Sequence, residues 1–341
     1  MTRNMIRPDL DTIPAYVPGA RNDSAIKLSS NESADGPLPS VLEAMRDTLG
    51  SMNRYPDMGA TDIRTALAEH LGVTIDQVAV GTGSSALCQQ LATITAQPGD
   101  EIIFPWRSFE AYPIFARIVG ATPVAIPLDA EHRLDLPAMA AAITERTKLI
   151  FVCNPNNPTG TTITNAEFGT FMDAVPSDIL VALDEAYFEY NRATDTPVAT
   201  DVITRYPNVV GLRTFSKAYG LAGARIGYAF GPADIISALN KVAVPFSVTA
   251  VAQTAALASL KATSELQTRI DDTITQRQHL TTALNLPESQ ANFIWLPDFP
   301  REKADRLAAE GVLVRFFPEG IRVTVTNSSE TDAFLKAWDR A

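Results

Sequence analysis

Between about residues 50 and 231 the chain alternates short apolar runs with stretches of helical periodicity. The apolar runs at 78–80, 101–104, 122–126, 148–152, 179–183, 209–214 and 225–230 predict strands. The helical patterns fall between them, at 61–71, 84–96, 109–119, 136–142 and 165–174. This alternation is the signature of an α/β architecture with a mostly parallel sheet. After about residue 233 the pattern changes. A long helical region (248–284) leads to a strand at 292–296 and a helix near 301–310. Strands at 312–316 and 321–325 and a final helix at 330–339 follow, which reads as a smaller α+β domain.

The first residues are broken by proline and extended, so they are expected to pack on the smaller domain. The expected division is an N-terminal segment 1–35, a large α/β domain 36–235 and a small C-terminal α+β domain 236–341. No internal repeat interrupts it.

Charge narrows the partners. With a net charge of −11, nucleic acid and anionic membrane are unfavoured as principal partners, although a local cationic pocket for a small anion remains compatible. Cys88 and Cys153 sit in apolar stretches and read as small buried hydrophobes. His70, His132 and His279 show no metal-ligand spacing. The N-terminus carries no apolar core of signal-peptide length and no run long enough to cross a bilayer, so the expected compartment is the cytoplasm.

Four strand ends carry candidate chemistry, and in open α/β sheets ligands bind beyond the carboxyl ends of the strands. In Val78-Ala-Val-Gly-Thr-Gly83-Ser84-Ser85 a strand turns through glycines into a helix, whose free N–H groups suit a phosphate. The same turn matches a dinucleotide fingerprint, but the acidic pair Asp100-Glu101 opens the next strand instead of closing it. Asn154-Pro-Asn-Asn157-Pro-Thr-Gly160 is a proline-stiffened loop with amide donors, or simply a structural turn. Asp184 ends a hydrophobic strand, where a buried acid needs a cationic partner or else caps the next helix. Tyr187 follows it.

The fourth end carries Ser216-Lys217 and, eight residues later, Arg225. A lysine amine at the mouth of a sheet can condense with an aldehyde, and the serine and arginine can hold a phosphate. Its neighbours Phe215, Tyr219, Leu221 and Ala222 are not those of a solvated surface lysine. Strand alternation from Arg225 puts it on the face of Gly227 and Ala229.

In family order and spacing, these segments resemble the fold-type I pyridoxal phosphate (PLP)-dependent aminotransferases, in the branch of histidinol-phosphate and aromatic amino acid aminotransferases. The resemblance implies a large domain with a mostly parallel sheet, a smaller α+β domain, and PLP as cofactor. It implies that Lys217 forms the Schiff base and that Asp184 pairs with the pyridine nitrogen, while Asn157 and Tyr187 bond the phenolate oxygen. Lys217, Asp184 and Tyr187 are thereby the expected catalytic residues. Gly83, Ser84, Ser85, Ser216 and Arg225 would hold the phosphate. Phe109 matches the ring that stacks on the cofactor, with Trp106 and Tyr112 as weaker matches. Arg322 matches the arginine that takes the substrate carboxylate, and Asn31 approaches the substrate. Tyr55 matches a tyrosine that reaches the partner subunit's cofactor, which implies a homodimer.

The substrates implied are an amino acid and a 2-oxo acid in ping-pong order. Asn31-Glu-Ser-Ala-Asp35-Gly and Trp106-Arg107-Ser-Phe109 depart from the pattern usual for histidinol-phosphate enzymes. These departures favour an aromatic amino acid (Phe, Tyr or Trp) with 2-oxoglutarate, and histidinol phosphate is the alternative. A decarboxylase of the same fold would use the same Lys217 and Asp184. A PLP-binding regulator would need a DNA-reading module for which the chain has no spare basic domain.

Overall fold

In the computed structural model, which describes Ile6, residues 8–17, Gly19, Asn22 and residues 24–341, the apolar runs become the strands of two sheets. The remaining positions of the expected 1–35 segment lie outside the described residues. In chain order the strands are β1 (Ile26–Leu28), β2 (Val78–Gly81), β3 (Glu101–Trp106), β4 (Thr122–Pro127), β5 (Thr147–Cys153) and β6 (Leu180–Asp184). They continue with β7 (Val209–Thr214), β8 (Gly227–Phe230), β9 (Phe293–Pro297), β10 (Val312–Phe317) and β11 (Gly320–Thr324).

The large sheet has seven strands in the order β2-β8-β7-β6-β5-β3-β4. Its neighbours run parallel except at β8, which is antiparallel to both β2 and β7. Parallel strands are buried on both faces, which explains the nearly continuous apolar runs. Along β5, Leu149, Phe151 and Cys153 enter one core with Ile102 and Phe104, while Ile150 and Val152 enter the other with Ile103 and Val181.

This order positions the site. β5, β6 and β7 are adjacent, with Cys153 opposite Asp184 and Asp184 opposite Leu212, so three of the polar loops leave one edge side by side. Because β8 runs the other way, its first residue Gly227 pairs with Gly81 on one side and Thr214 on the other. The turn that carries Arg225 therefore lies between the glycine turn and the lysine loop. The strand is shorter than expected: Arg225 precedes it in a left-handed conformation (φ 57°), because the chain must turn there before β8 begins.

The small sheet has the order β1-β10-β11-β9, with β1 parallel to β10 and the rest antiparallel. β1 thus ties the start of the chain to the smaller unit, whose core is built from Leu280, Ile294, Leu296, Val323 and Phe334. The single long helix expected at 248–284 is divided at Ala262 into Ala250–Lys261 and Thr263–Ala283. Ala252, Ala255 and Ala256 of the first piece pack in a core of the large sheet, against the helices Pro39–Thr48 and Thr61–Leu71. Ala262 packs in a core of the large sheet and Leu280 in that of the small sheet, so Thr263–Ala283 runs between the two. Among the described residues no helix is long and apolar enough to cross a membrane.

Candidate active site

The polar strand ends open onto one cavity of about 630 Å³ at the carboxyl edge of the large sheet. Ser84, Ser85, Phe109, Asn157, Asp184, Tyr187, Ser216, Lys217 and Arg225 all line it. Trp106 and Tyr112, the weaker matches for a stacking ring, do not. A smaller recess adjoins it, sharing Phe109, Asn157, Tyr187 and Lys217 and adding Asn31 and Arg322.

At its floor Asp184 is buried and receives hydrogen bonds from the Tyr112 hydroxyl (2.7 Å) and the Ala186 backbone N–H (3.1 Å). Burial pushes its carboxyl up to about 6, and those two donors pull against the shift. Cys153 lies beside it as a buried free thiol, as does Cys88 elsewhere in the same core, in keeping with their apolar surroundings.

Lys217 follows β7 in a turn closed by Gly220 N–H on the Lys217 carbonyl (2.9 Å). Its Nζ lies 3.4 Å from the Ser30 carbonyl oxygen. Burial, then the nearby Arg322 cation, pulls the amine down to about 8. A neutral, nucleophilic amine is therefore accessible near physiological pH.

The glycine turn and the Arg225 turn form an anion cradle. The helix Ser84–Thr95 begins at Gly83, which has φ 81°. A Cβ on Gly83 would lie 2.4 Å from Arg225 Nη2, and one on Gly227 would lie 2.4 Å from the Ser84 backbone nitrogen. Neither side chain fits, so backbone donors and guanidinium stand close together. Ser216 Oγ accepts from Thr214 Oγ1 (3.0 Å) and from Arg225 Nη1 (3.5 Å). Helix start, hydroxyls and guanidinium match the donor set of a phosphate site.

In the adjoining recess Arg322 rises from β11, buried, with Nη1 on Asn157 Oδ1 (2.5 Å) and Nη2 on the Ser29 carbonyl (2.6 Å). Its Nε has no hydrogen-bond partner among the described residues. Asn31 donates from Nδ2 to the Tyr187 hydroxyl at 2.9 Å. The other loop asparagines serve the scaffold: Asn154 binds Thr196 and Ile163, and Asn156 binds Ser108, Arg107 and Thr159. Tyr55 stays away from its own chain's cavity. It is 82% exposed, with its ring 4.7 Å from that of Phe246.

The model of the family "Aminotransferase class I and II" matches residues 23–337. The chain belongs to this aminotransferase family. The aminotransferase is 61% identical over 336 residues to the aromatic amino acid aminotransferase of Corynebacterium glutamicum (strain R), covering 98% of each. It is 53% identical over 337 residues to that of Rhodococcus jostii, covering 96% of this chain and 94% of the relative. Its structure superposes on the histidinol-phosphate aminotransferase of Sinorhizobium meliloti in complex with pyridoxal-5'-phosphate with a TM-score of 0.90 at 29% identity, covering 99% and 98% of the two chains.

Sequence reasoning missed the aminotransferase's Tyr112 as the partner of Asp184, since these positions are 72 apart and no local pattern joins them. It also missed the carbonyls of Ser29 and Ser30, which face Arg322 and Lys217 through backbone atoms that residue identity does not encode.

Proposed function

We propose that this aminotransferase uses PLP bound at Lys217 to move the amino group of an aromatic amino acid to 2-oxoglutarate, in ping-pong order. The carrying observation is that a desolvated amine, a buried carboxylate and an anion cradle face one cavity. The residues fit the cofactor, because the cradle is built where Gly83 and Gly227 leave no room for a side chain. PLP supplies an aldehyde that condenses with amines and a protonated ring that accepts the electron pair freed at the substrate Cα.

The chain's own groups do the rest. Ser84, Ser85, Ser216 and Arg225 hold the phosphate. Asp184 holds the ring nitrogen in its protonated form, and Tyr112 keeps that carboxylate ionised. Asn157 and Tyr187 hold the phenolate oxygen, and Phe109 covers the ring. Arg322 orients the substrate carboxylate, assisted by Asn31. Lys217 would serve as general base and then general acid for the substrate Cα proton.

The aromatic preference rests on the relatives' names and on charge. Arg315 lines the recess but already pairs with Glu110 (2.7 Å), and Arg107 pairs with Glu319. Neither arginine is left for a phosphorylated side chain, whereas Tyr16, Phe109 and Phe317 offer an aromatic wall.

The assembly in this reading is a homodimer, supported by exposed apolar Met58 and Val244 beside Phe246, on which the exposed Tyr55 ring packs. An absorbance titration tests the whole. The cofactor band should shift on adding phenylalanine and not on adding histidinol phosphate, and borohydride should fix the cofactor to Lys217. A mapped lysine other than Lys217 would overturn the reading.

A further inference from the structure

Two ion pairs cross between the units, Glu110–Arg315 lining the recess and Arg107–Glu319 beside it, and they cross in opposite senses. Arg107, in the loop after β3, donates from Nε (3.0 Å) and Nη2 (2.8 Å) to the two carboxylate oxygens of Glu319, in the turn between β10 and β11. Three residues on, Glu110 accepts from Arg315 of β10 at 2.7 Å, and Arg315 also donates to the Val17 carbonyl at 3.0 Å. The large unit thus offers plus then minus, and the small unit answers with minus and plus.

The two pairs bracket what they join. Phe109 of the cavity lies between Arg107 and Glu110. On the small unit buried Phe317 lies between Arg315 and Glu319, and its ring is ringed by guanidinium carbons of Arg107 (5.6 Å), Arg315 (5.6 Å) and Arg322 (5.7 Å). Arg315 is the direct cross-strand partner of Arg322. Two guanidiniums side by side repel, and Glu110 offsets that charge.

We propose that Arg107–Glu319 and Glu110–Arg315 form a crossed clamp that fixes Arg322 against the cofactor side of the cavity and thereby sets substrate affinity. The role of Arg322 in that statement rests on the function proposed above. Opposite senses matter because a slide of the hairpin one way along the loop brings Arg107 toward Arg315, and a slide the other way brings Glu110 toward Glu319. Like charges in contact then specify the register. Isolated exposed ion pairs contribute little, but a two-pronged arginine–carboxylate contact within a network of charges is the geometry in which they count.

The test is charge reversal and swap in the full-length holoenzyme. Arg107→Glu and Glu319→Arg should each raise KM for the amino acid about tenfold, equivalent to about 1.4 kcal/mol, with kcat changed less than about threefold. The double variant R107E/E319R should return KM to within about threefold of the parent. Unchanged KM in both single variants, or folded single variants that the swap fails to rescue, would overturn the clamp. If a reversal does not fold, Glu319→Gln carries the same readings without repulsion.

A second measurement is independent of activity. Spin labels on Glu145→Cys and Asp332→Cys, both exposed positions in a chain whose native cysteines are buried, report the separation of the units. The distance distribution should be narrow in the parent and the swap and broad in the single variants. If transamination is absent but the distances behave so, the clamp stands and only the functional reading fails; equally narrow distributions throughout sink the clamp itself.

Discussion

Tyr112 donates its hydroxyl hydrogen to Asp184 Oδ2 at 2.7 Å, with its ring stacked on Phe151 at 4.4 Å and 12°. The contact decides how a fully buried acid stays ionised. Burial alone favours the neutral carboxyl, and a donor to the carboxylate works against that.

Tyr112→Phe should therefore push Asp184 higher still. A hydrogen bond to a charged group contributes about 1.5–3 kcal/mol, so the acid limb of kcat/KM against pH should move up by about one unit or more. The folded carboxyl titrates above its unfolded value, so its contribution to stability is present at low pH and is lost as pH rises through about 6. Melting curves of the cofactor-free protein should accordingly show a steeper loss between pH 4 and 7 in the variant (about the range between the two pKa values). An unmoved acid limb would show that Tyr112 is only packing.

Lys217 offers a second titration with the opposite sense. Its amine, pulled down to about 8, is increasingly neutral as pH rises through that value. The rate at which cofactor-free protein captures PLP should climb with pH and level off above about 8. Arg322→Gln removes a cation that disfavours the ammonium, so the midpoint should shift upward while staying below the ordinary lysine value, because burial is the larger cause. Stopped-flow absorbance measures both. A midpoint unaffected by Arg322→Gln would mean that the two cations do not interact.

The anion cradle makes a steric prediction. Gly227→Ala puts a methyl group 2.4 Å from the Ser84 backbone nitrogen, and backbone cannot yield as a side chain can. The first turn of the helix Ser84–Thr95 must shift. Titration of cofactor-free protein with PLP should show at least about tenfold weaker binding, equivalent to about 1.4 kcal/mol. Gly223→Ala is the control, since nothing lies within 4 Å of its added methyl.

How much of this was legible in the sequence follows from what local pattern encodes. Runs such as 148–152 and 179–183 form strands buried on both faces, and the acid, the lysine and the serines after the glycine turn line one cavity, because period and punctuation are local properties. Contacts between loops are not local. Arg107 and Glu319 are 212 positions apart, and neither has a neighbour in sequence that announces the other. The left-handed turn at Arg225 was hidden because its guanidinium, reaching back to Thr82 and Ser216, makes an unusual backbone worthwhile at a non-glycine position. The break at Ala262 was equally silent: alanine is a good helix former, and only packing of Ala252, Ala255 and Ala256 on one core and Leu280 on the other distinguishes the two helices.

Tyr55 is the residue whose proposed role depends on a second copy of the chain. It is not among the residues that line the cavity at the edge of its own chain's large sheet, and it is 82% exposed. If it completes the partner's site, two disabled variants should repair one another. Mixing Tyr55→Ala with Lys217→Ala, after unfolding and refolding together, gives hybrid dimers. In each hybrid one site carries both lesions and the other carries neither. Random pairing makes about half of the dimers hybrids, so activity should rise to about a quarter of the parental value. Were Tyr55 to serve its own chain, every hybrid site would retain one lesion and no recovery would occur. Activity in the mixture no greater than the mean of the separately refolded variants would place Tyr55 outside the partner's site.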